Sequence, residues 1–600
     1  MERRPGLTVG GAILIAAIQS APELTAQVAS LGPDTITQVS DTRDFLGAAR
    51  AAQVRFERRR IRYLPITIGV SGSCDEHVGR FCSWYDEGDW YPLPEAPQIS
   101  TLRTELLVAL DSAQEGLPGD DWVLGQRVWY RADAGRWEDA LTAARRCGSV
   151  ERWWCAALEG FALHGLERYA ESRAAFSVAL AGMPDAEALE WRLPRRAMDG
   201  EGRDLLNDLR GVPGDSVSTV LRRLWALADP LYLVDGNDRE TAHYARWTVS
   251  SMRERARNAY SLPWGDDLEE LMVRHGWEVG WERSPGPYSN SLDDVIGHKH
   301  PEGRDYMPAG RALKAPSLAT PEDLRADVRG PRSLYAPAYA PLMLPMEGQV
   351  AVFPRGAHMV IVASHFLPED TTRHAKHRHP LPWLEPGDQR GMPNEAGLFL
   401  VQADASVVSA RSRGATEGVL SIEAPVGSYV LSAEVWSPEL RRAGRFRVGL
   451  ERSEVPADVA ALSDLLMLAP PEVWPEKLDE AVEHALPRAE ILPGQTFAIG
   501  WEVTGLGFRT ETLFFELSVT RTDRSVLSRI GGFLGISRPT QQLRLEWEEP
   551  GPEAPSPLFR YLDLDLPALD VGAYEVRLVL RTAGRSDVVA VRPFSVRERS

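Results

Sequence analysis

The sequence lacks three features: an excess of positive charge, an apolar run of bilayer length, and the motifs of the familiar enzyme classes. Acidic residues outnumber basic ones 85 to 67, and the net charge is -18. This balance disfavours a general binder of nucleic acid or of anionic membranes, because both need positive potential. No phosphate loop, dinucleotide fingerprint or calcium loop is present. The 600 residues are enough for several domains, each with its own core.

The N-terminus carries the pattern of a secretory signal. Glu2, Arg3 and Arg4 precede an apolar run at residues 9–18, and a small, polar stretch ends near Ala26. The run is about half the length that a membrane-spanning helix needs, which favours a cleaved signal peptide at residues 1–27 over an anchor. The remaining chain is therefore expected to fold outside the cytoplasm, in the periplasm or the extracellular space.

The four cysteines form two close pairs, Cys74 with Cys82 and Cys147 with Cys155. In an oxidising compartment, an even count with short separations predicts disulfides. Cys74, His77 and Cys82 also have the spacing of metal ligands, but a structural zinc site needs a fourth one. For Cys147 and Cys155 the alternative is a pair of free, buried thiols in a helical stretch, because such thiols behave as small apolar side chains.

The sequence of residues 120–184 predicts several consecutive helices with an internal repeat. Trp122 and Trp154 are 32 residues apart, and Trp137 and Tyr169 repeat that interval. The second unit resembles a tetratricopeptide repeat through Gly160, Tyr169, Phe176, Ala179 and Pro184. That resemblance implies stacked helical hairpins with a concave surface for a peptide or a partner protein, or a structural spacer.

A second helical stretch, residues 217–283, resembles exported bacterial proteins of the GWxTD-domain type. The residues that carry the resemblance are Asp229, Pro230, Asn237, Asp238, Arg239, His243, Arg246, Trp264, Gly265, Asp266, Asp267, Arg274, His275, Gly276, Trp277, Trp281, Glu282 and Arg283. The Thr-Asp of the naming motif is missing after Trp277. The resemblance implies a role in the envelope and no established reaction. Asp266 and Asp267 are either paired carboxylates or residues that cap a helix.

After a proline-rich connector at residues 285–345, the spacing of apolar residues changes from 3.6 residues, as in helices, to 2 residues, as in strands. This change predicts two β domains. Residues 570–574 and 425–429 each place a glycine before a tyrosine and an alternating strand. Both segments resemble the tyrosine corner of immunoglobulin-like sandwiches, in which the tyrosine hydroxyl bonds back to the backbone. A short helical strut is expected between the two domains.

The histidines at 365, 374, 377 and 379 form the one cluster that suggests chemistry. Imidazole is a common zinc ligand, and His374, His377 and His379 lie within one predicted loop. Lys376 and Arg378 add positive charge beside any cation. The alternatives are a solvated basic loop, or a loop that captures an acidic partner or a phosphate.

The sequence therefore predicts a multidomain α+β protein with a helical, repeat-containing front half and two immunoglobulin-like β-sandwiches behind it. The predicted segments are a signal at 1–27, an N-terminal segment at 28–119, a helical domain at 120–284, the connector at 285–345, a sandwich at 346–456, the strut at 457–488 and a sandwich at 489–600. The predicted function is that of a non-enzymatic envelope scaffold that binds another envelope protein or peptide through the helical repeat.

Two alternatives stay open for the function. The first is a metal-dependent enzyme that uses zinc on the histidine loop, with Asp266, Asp267 or Glu282 folded against it. The second is a glycan-binding protein, because the flat faces of tryptophan side chains stack on sugars. Most of the 18 tryptophans are more simply explained as core residues.

Overall fold

The structure is a computed structural model. The structure describes residues 33–67, 74–85, 90–209, 214–285, 293–326, 330–346, 348–369, 391–522, 541–566 and 569–598. The predicted signal at residues 1–27 and the histidines at 374, 377 and 379 lie outside these ranges. Among the described residues, no helix combines the length and the apolar character that crossing a membrane requires.

The front half is mainly helical as far as residue 275, and polar side chains cap the start of some of its helices. The side chain of Asp120 accepts a hydrogen bond from the amide of Val123 at 2.8 Å and caps the third helix. Asn237 caps the tenth helix in the same way. The helices of this half are α1 (Pro33–Arg60), α2 (Pro97–Gly116), α3 (Asp121–Ala132), α4 (Trp137–Arg145), α5 (Arg152–Gly165), α6 (Tyr169–Gly182), α7 (Asp185–Arg192), α8 (Gly200–Asp208), α9 (Gly214–Ala228), α10 (Asp238–Glu254) and α11 (Asp266–His275).

Helices α3 to α6 form the two consecutive hairpins that the repeat predicts. In the second hairpin, Gly160 on α5 lies against the ring of Phe176 on α6, where a Cβ atom would be 2.9 Å from the ring. The hydroxyl of Ser172 donates to the carbonyl of Gly160 at 2.7 Å. A small residue at 160 therefore permits the close approach of the two helices.

Helix α10 covers the inner side of these hairpins. It packs against α3, α5 and α6, and nearly all of its residues are buried although many are polar or charged. The inner helices α3 and α5 are themselves buried along most of their length. The repeat is consequently an integral part of the helical core, and its inner surface is occupied by the chain itself.

Two short hairpins and one connecting helix complete the front half. Strands β1 (Glu76–Val78) and β2 (Phe81–Ser83) form one hairpin, and β3 (Gly280–Ser284) pairs with β4 (Asp294–His298) to form the other. The connector also contains the short helix α12 (Gly310–Lys314). Tyr306, Tyr335 and Tyr339 of the connector are buried with residues of α10 and of the first β domain. The connector thus contains little regular structure in its described part, and it forms part of the core between the two halves.

The first β domain consists of two sheets that share a core. One sheet has the order β5-β12-β11-β8-β9 and the other β10-β7-β6. Apolar side chains of both sheets, such as Ile361 and Leu431, belong to one cluster. The strands are β5 (Leu342–Pro345), β6 (Val350–Arg355), β7 (His358–Phe366), β8 (Glu395–Val401), β9 (Val407–Arg413), β10 (Glu417–Pro425), β11 (Ser428–Ser437) and β12 (Arg442–Glu451).

The second β domain repeats this two-layer arrangement. The strand β16 pairs with β13, β14 and β19 in one sheet, and the other sheet has the order β15-β21-β20-β17-β18. The strands are β13 (Ala461–Leu462), β14 (Leu466–Leu468), β15 (Glu490–Ile491), β16 (Phe497–Thr504), β17 (Thr512–Arg521), β18 (Gln541–Pro550), β19 (Leu558–Leu564), β20 (Gly572–Thr582) and β21 (Val588–Val596).

Both tyrosines of the repeated turn bond back to the backbone. The hydroxyl of Tyr429 donates to the carbonyl of Pro425 at 2.9 Å, and that of Tyr574 donates to the carbonyl of Asp570 at 3.0 Å. Each tyrosine is 2% exposed, so the bond gives a buried hydroxyl an acceptor for its proton.

The predicted helical strut at residues 457–488 is wrong for most of its length. The segment contains β13 and β14, and its helix α13 (Leu478–Val482) has only five residues. Leu466 and Leu468 are fully buried in a cluster that joins the two β domains. Their apolar character reflects this burial on a strand and not the face of a helix.

The cysteines form two disulfides, Cys74 with Cys82 and Cys147 with Cys155. The first closes the β1–β2 hairpin, and the second spans the connection between α4 and α5. The alternative of free thiols at 147 and 155 is therefore wrong. Because Cys74 and Cys82 are bonded to each other, their thiolates are not available for the alternative metal site with His77.

Candidate functional site

The residues that the sequence singles out are not brought together in the described part of the chain. His365 is buried on β7, where burial lowers the pKa of its imidazole to about 4. The zinc prediction for His374, His377 and His379 concerns residues outside the described ranges and stays a prediction. Within the described ranges, no group of three or more potential ligands is arranged to hold a metal ion.

Asp267 holds the turn of the β1–β2 hairpin. Its carboxylate accepts hydrogen bonds from the Arg80 guanidinium at 2.6 and 2.7 Å and from the Arg80 amide at 3.1 Å. These bonds lower the pKa of Asp267 to about 2. Asp266 is the first residue of α11. The carboxylate of Asp267 is therefore committed to a contact between α11 and the hairpin.

Glu282 lies in a different place, on β3 beside two aromatic rings. Its carboxylate accepts a hydrogen bond from the Trp90 indole at 3.1 Å and lies 3.4 Å from Nε2 of His298. The rings of Trp90 and His298 stack with their centres 4.0 Å apart. This group forms one end of a cleft that the sequence did not predict.

The cleft, called here the tryptophan cleft, has a volume of 220 Å³. It lies between the end of α1, the chain before α2, the helices α3 and α4, and the start of β3. Four half-buried tryptophans line it: Trp90, Trp137, Trp277 and Trp281. The other residues that matter for its character are Tyr63, Leu93, Glu95, Trp129, Asp133, Glu278 and Glu282.

The carboxylates on one side of the tryptophan cleft are paired with arginine. Arg103 donates to Asp133 at 2.8 Å and to Glu95 at 2.7 Å, and Arg60 lies 3.9 Å from Asp133. Burial alone would raise the pKa of Asp133, but Arg103 and Arg60 outweigh it and hold that pKa below its usual value. This wall is therefore polar, and both of its carboxylates are paired with arginine.

Glu278 is balanced in the same way on the opposite side. Arg253 donates to it at 2.7 Å and Lys299 at 3.0 Å. Burial acts to raise the pKa of Glu278, yet Lys299 and Arg253 hold it well below the usual range. The tryptophan cleft thus combines aromatic faces with four carboxylates, of which Glu95, Asp133 and Glu278 are paired with arginine or lysine.

A second, smaller cavity adjoins the cleft. It has a volume of 90 Å³ and shares Trp137, Trp277 and Val279 with the tryptophan cleft. Three imidazoles line it, and it is therefore called the imidazole cavity: His164, His275 and His300. Its other main lining residues are Tyr169, Arg246 and Tyr335.

The three imidazoles of the inner cavity are neutral near pH 7. Burial and the nearby Arg246 and Arg239 lower the pKa of His164 to about 3. Burial and Arg441 lower that of His300 to about 3. Burial, with Arg274 and Lys299, lowers the pKa of His275 well below its usual value. A neutral imidazole carries one donor and one acceptor nitrogen.

The sequence offered a partial signal for this site. His275, Trp277 and Trp281 belong to the segment that resembles the GWxTD domain, and Trp137 belongs to the repeat. His164 and His300 look like isolated histidines in the sequence. The tryptophan content was the remaining signal, and it supported the glycan-binding alternative without locating a site.

The comparisons with known proteins do not identify the chain. No protein-family model matches it, and no curated protein matches it. Among solved structures, the chain is similar to a transglutaminase from red sea bream (9% identity, TM-score 0.13, 42% of this chain and 32% of that one). It is also similar to a β-glucuronidase from Bacteroides uniformis (12% identity, TM-score 0.17, 40% and 26%) and to a protein from Corynebacterium diphtheriae described as membrane anchored (9% identity, TM-score 0.16, 43% and 59%).

These alignments span less than two thirds of each of the three solved structures. Their TM-scores are too low to carry an argument about fold or function. The functional argument therefore starts from the residues of the cleft and the cavity.

Proposed function

We propose that this chain is an exported, non-enzymatic binding protein of the envelope, and that its ligand is a glycan held in the tryptophan cleft. The observation that carries the proposal is the set of four half-buried indoles around one cleft. The electron-rich face of an indole attracts the C–H groups on the apolar face of a sugar ring. The carboxylates that line the cleft beside the indoles, Glu95, Asp133, Glu278 and Glu282, supply acceptors for sugar hydroxyls.

Export is supported by the N-terminal pattern and by the two disulfides, because disulfides persist in oxidising compartments. The tetratricopeptide-like nature of the repeat is supported by the packing of Gly160 on Phe176. The immunoglobulin-like nature of both sandwiches is supported by the bonds of Tyr429 and Tyr574. The resemblance to the GWxTD type remains a proposal that rests on its residues alone.

The test is binding of neutral oligosaccharides by the purified protein, measured by titration calorimetry. Trp90→Leu removes an indole of the cleft, and we expect it to weaken binding at least tenfold. Trp474→Leu is the matched control, because Trp474 stacks on Tyr561 in the second β domain, far along the chain from the cleft residues. Equal affinity of both variants and the wild type, or no binding by the wild type, would contradict the proposal.

A protein partner is the second candidate, and the rim of the cleft favours it. Tyr63, Ile66 and Leu93 are 43%, 60% and 60% exposed, and exposed apolar groups that adjoin a cleft are typical of interaction surfaces. The partner would be another envelope protein or peptide. The inner face of the repeat is covered by α10. We therefore expect such a partner to contact the repeat at the ends of α3 and α4 that line the cleft.

This candidate is tested by a photo-reactive side chain at position 93 in living cells. A cross-linked protein that is absent when the same side chain stands at Val473, which is 81% exposed, would support a protein partner at the cleft. Identical cross-linking from both positions would argue against it.

A further inference from the structure

The charged side chains in the lining of the tryptophan cleft are all carboxylates. They are Glu95, Asp133, Glu278 and Glu282, and the described residues of the lining include no arginine, lysine or histidine. The cations that pair with these carboxylates do not belong to the lining. Glu95 has 32% of its side chain exposed, for example, whereas its partner Arg103 has 6%. The charged groups that a ligand meets in the cleft are therefore negative.

Glu282 differs from the other three carboxylates in its partners. In the ion pairs of the described residues, the basic group beside Glu282 is an imidazole, that of His298, whose Nε2 lies 3.4 Å from one carboxylate oxygen. The Trp90 indole donates to the other oxygen at 3.1 Å. A carboxylate has about four acceptor sites, so these contacts leave capacity for a further donor. The side chain is 16% exposed, which makes it accessible to such a donor.

The charge of Glu282 distinguishes between kinds of ligand. A neutral ligand that covered Glu282 would remove its remaining water without a counter-charge, and burial of a charge is unfavourable unless the charge is paired. A ligand with a carboxylate would add a like charge. A ligand with an ammonium group would supply the counter-charge together with donors.

The indoles of the cleft add a second preference for cations. The face of a tryptophan ring attracts guanidinium and ammonium groups. Two tryptophans of the lining already have such contacts within the chain: Arg253 lies 4.5 Å from the ring centre of Trp129, and Arg60 lies 5.0 Å from that of Trp281. Trp90 is hydrogen-bonded to Glu282 itself. A cation bound at Glu282 would therefore lie beside an indole as well as a carboxylate.

We propose that the glycan in the tryptophan cleft contains an amino sugar residue, and that the protonated amine of this residue pairs with Glu282. The assignment rests on the proposed glycan-binding function and deepens it. An ammonium group carries three donors and no acceptor, which matches a lining whose charged groups only accept. The sugar ring supplies the apolar face that packs on the indoles.

The experiment compares three disaccharides as probes: the β-1,4-linked dimer of glucosamine, its N-acetylated form, and cellobiose. They share the ring and the linkage and differ at carbon 2, which carries an ammonium, an acetamide or a hydroxyl group. Trilysine is the probe for a basic peptide. Titration calorimetry is performed at pH 6.5, where an amine with the pKa of an α-amino group, about 7.7–8.0, is mostly protonated. Because all probes are titrated at one pH, the state of His298 is the same for each.

The variants are Glu282→Gln, which removes the charge and keeps an acceptor for the Trp90 indole, and Glu553→Gln. Glu553 is exposed between β18 and β19, so its substitution changes the net charge equally and is the matched control. Thermal unfolding of each variant establishes that it is folded.

We expect the glucosamine dimer to bind the wild type at least tenfold more tightly than cellobiose or the N-acetylated dimer. In Glu282→Gln the preference over cellobiose should fall below threefold, and in Glu553→Gln it should persist. The preference should also weaken at high salt, because salt screens the attraction between charges.

Three outcomes would overturn the amino sugar assignment alone: cellobiose or the N-acetylated dimer binding as tightly as the glucosamine dimer, a preference that persists in Glu282→Gln, or an equal loss of preference in both variants. No binding of any disaccharide by the folded wild type, or tighter binding of trilysine than of every disaccharide, would overturn the glycan-binding proposal as well. Since the comparison of the probes needs no variant, it decides the matter even if Glu282→Gln fails to fold.

Discussion

One buried ion pair, Arg447 with Glu434, lies at the contact between the helical half and the first sandwich. The two charged groups lie 2.9 Å apart, and both side chains are 0% exposed. One oxygen of Glu434 also accepts from the Ser432 hydroxyl at 2.7 Å, and the other accepts from the amide of Leu233 at 3.2 Å. Arg447 donates to the carbonyl of Leu227 at 3.0 Å. The pair therefore joins β11 and β12 to the chain around α9.

We predict that Glu434→Gln is strongly destabilising although the side chains have the same shape. Both carboxylate oxygens act as acceptors, so the amide group of glutamine must face a donor on one side. Arg447 would remain buried without a counter-charge. Removal of one partner of a buried ion pair costs about 3–5 kcal/mol. This is a large part of the free energy of unfolding of a typical domain, which is about 5–15 kcal/mol.

The measurement is the free energy of opening at the amides of β11 and β12, obtained from native-state hydrogen exchange, which resolves local stability in a protein of several domains. Glu434→Gln, Arg447→Met and the double variant form a thermodynamic cycle. The double variant should be more stable than the sum of the single losses predicts, because it leaves no unpaired charge.

Asp587→Asn provides the control for this cycle. Asp587 pairs with Arg581 at 3.1 Å, with 57% and 47% of the side chains exposed, and such exposed pairs contribute less than about 1 kcal/mol. A loss below about 1 kcal/mol for Glu434→Gln, or a cycle that is additive within about 0.5 kcal/mol, would refute the reasoning.

Three further predictions follow from buried groups. Tyr574→Phe leaves the carbonyl of Asp570 without its 3.0 Å bond and should lower the free energy of unfolding by about 1 kcal/mol in urea titrations. Gly160→Ala places a Cβ atom 2.9 Å from the Phe176 ring and should lower the melting temperature, at a cost of about 1–3 kcal/mol. The pKa of His164 is about 3 in the folded protein and 6.5 for a free imidazole. Its contribution to the free energy of unfolding is therefore complete above pH 6.5 and is lost as the pH falls towards 3. His164→Gln should make the free energy of unfolding less dependent on pH between these two values.

Local patterns in the sequence were sufficient to predict most of the longer strands of both β domains. Alternation identified strands such as β17 and β21, because one face of each strand is buried and the other is less so. The turns before Tyr429 and Tyr574 were predictable for the same reason, since glycine, tyrosine and the following strand are adjacent in sequence. The repeat likewise placed α3 to α6.

The strut and the cleft were not predictable from such patterns. Residues 465–468 are all apolar and buried. Such a continuous apolar segment has no period, so the sequence does not distinguish a buried strand from a buried helix. The tryptophan cleft takes its walls from segments as distant as Tyr63, Trp137 and Trp281. The imidazole cavity joins His164 to His300, and no spacing rule connects two residues that only the folded chain brings together.

Helix α10 links the loss of the repeat's open surface to the formation of the candidate site. Arg246 on α10 binds the last carbonyls of α11, and cations are favourable at that end of a helix. Gly276 follows the last residue of α11, and its φ of +80° suits glycine. Because glycine has no side chain, there is room for the Arg246 guanidinium, which lies 3.2 Å from the position that a Cβ atom would take. The next residue is Trp277, which lies between the cleft and the cavity. Helix α10, which covers the inner face of the repeat, therefore also positions Trp277 in the wall of the tryptophan cleft. For this reason we place the ligand in the cleft and not along the repeat.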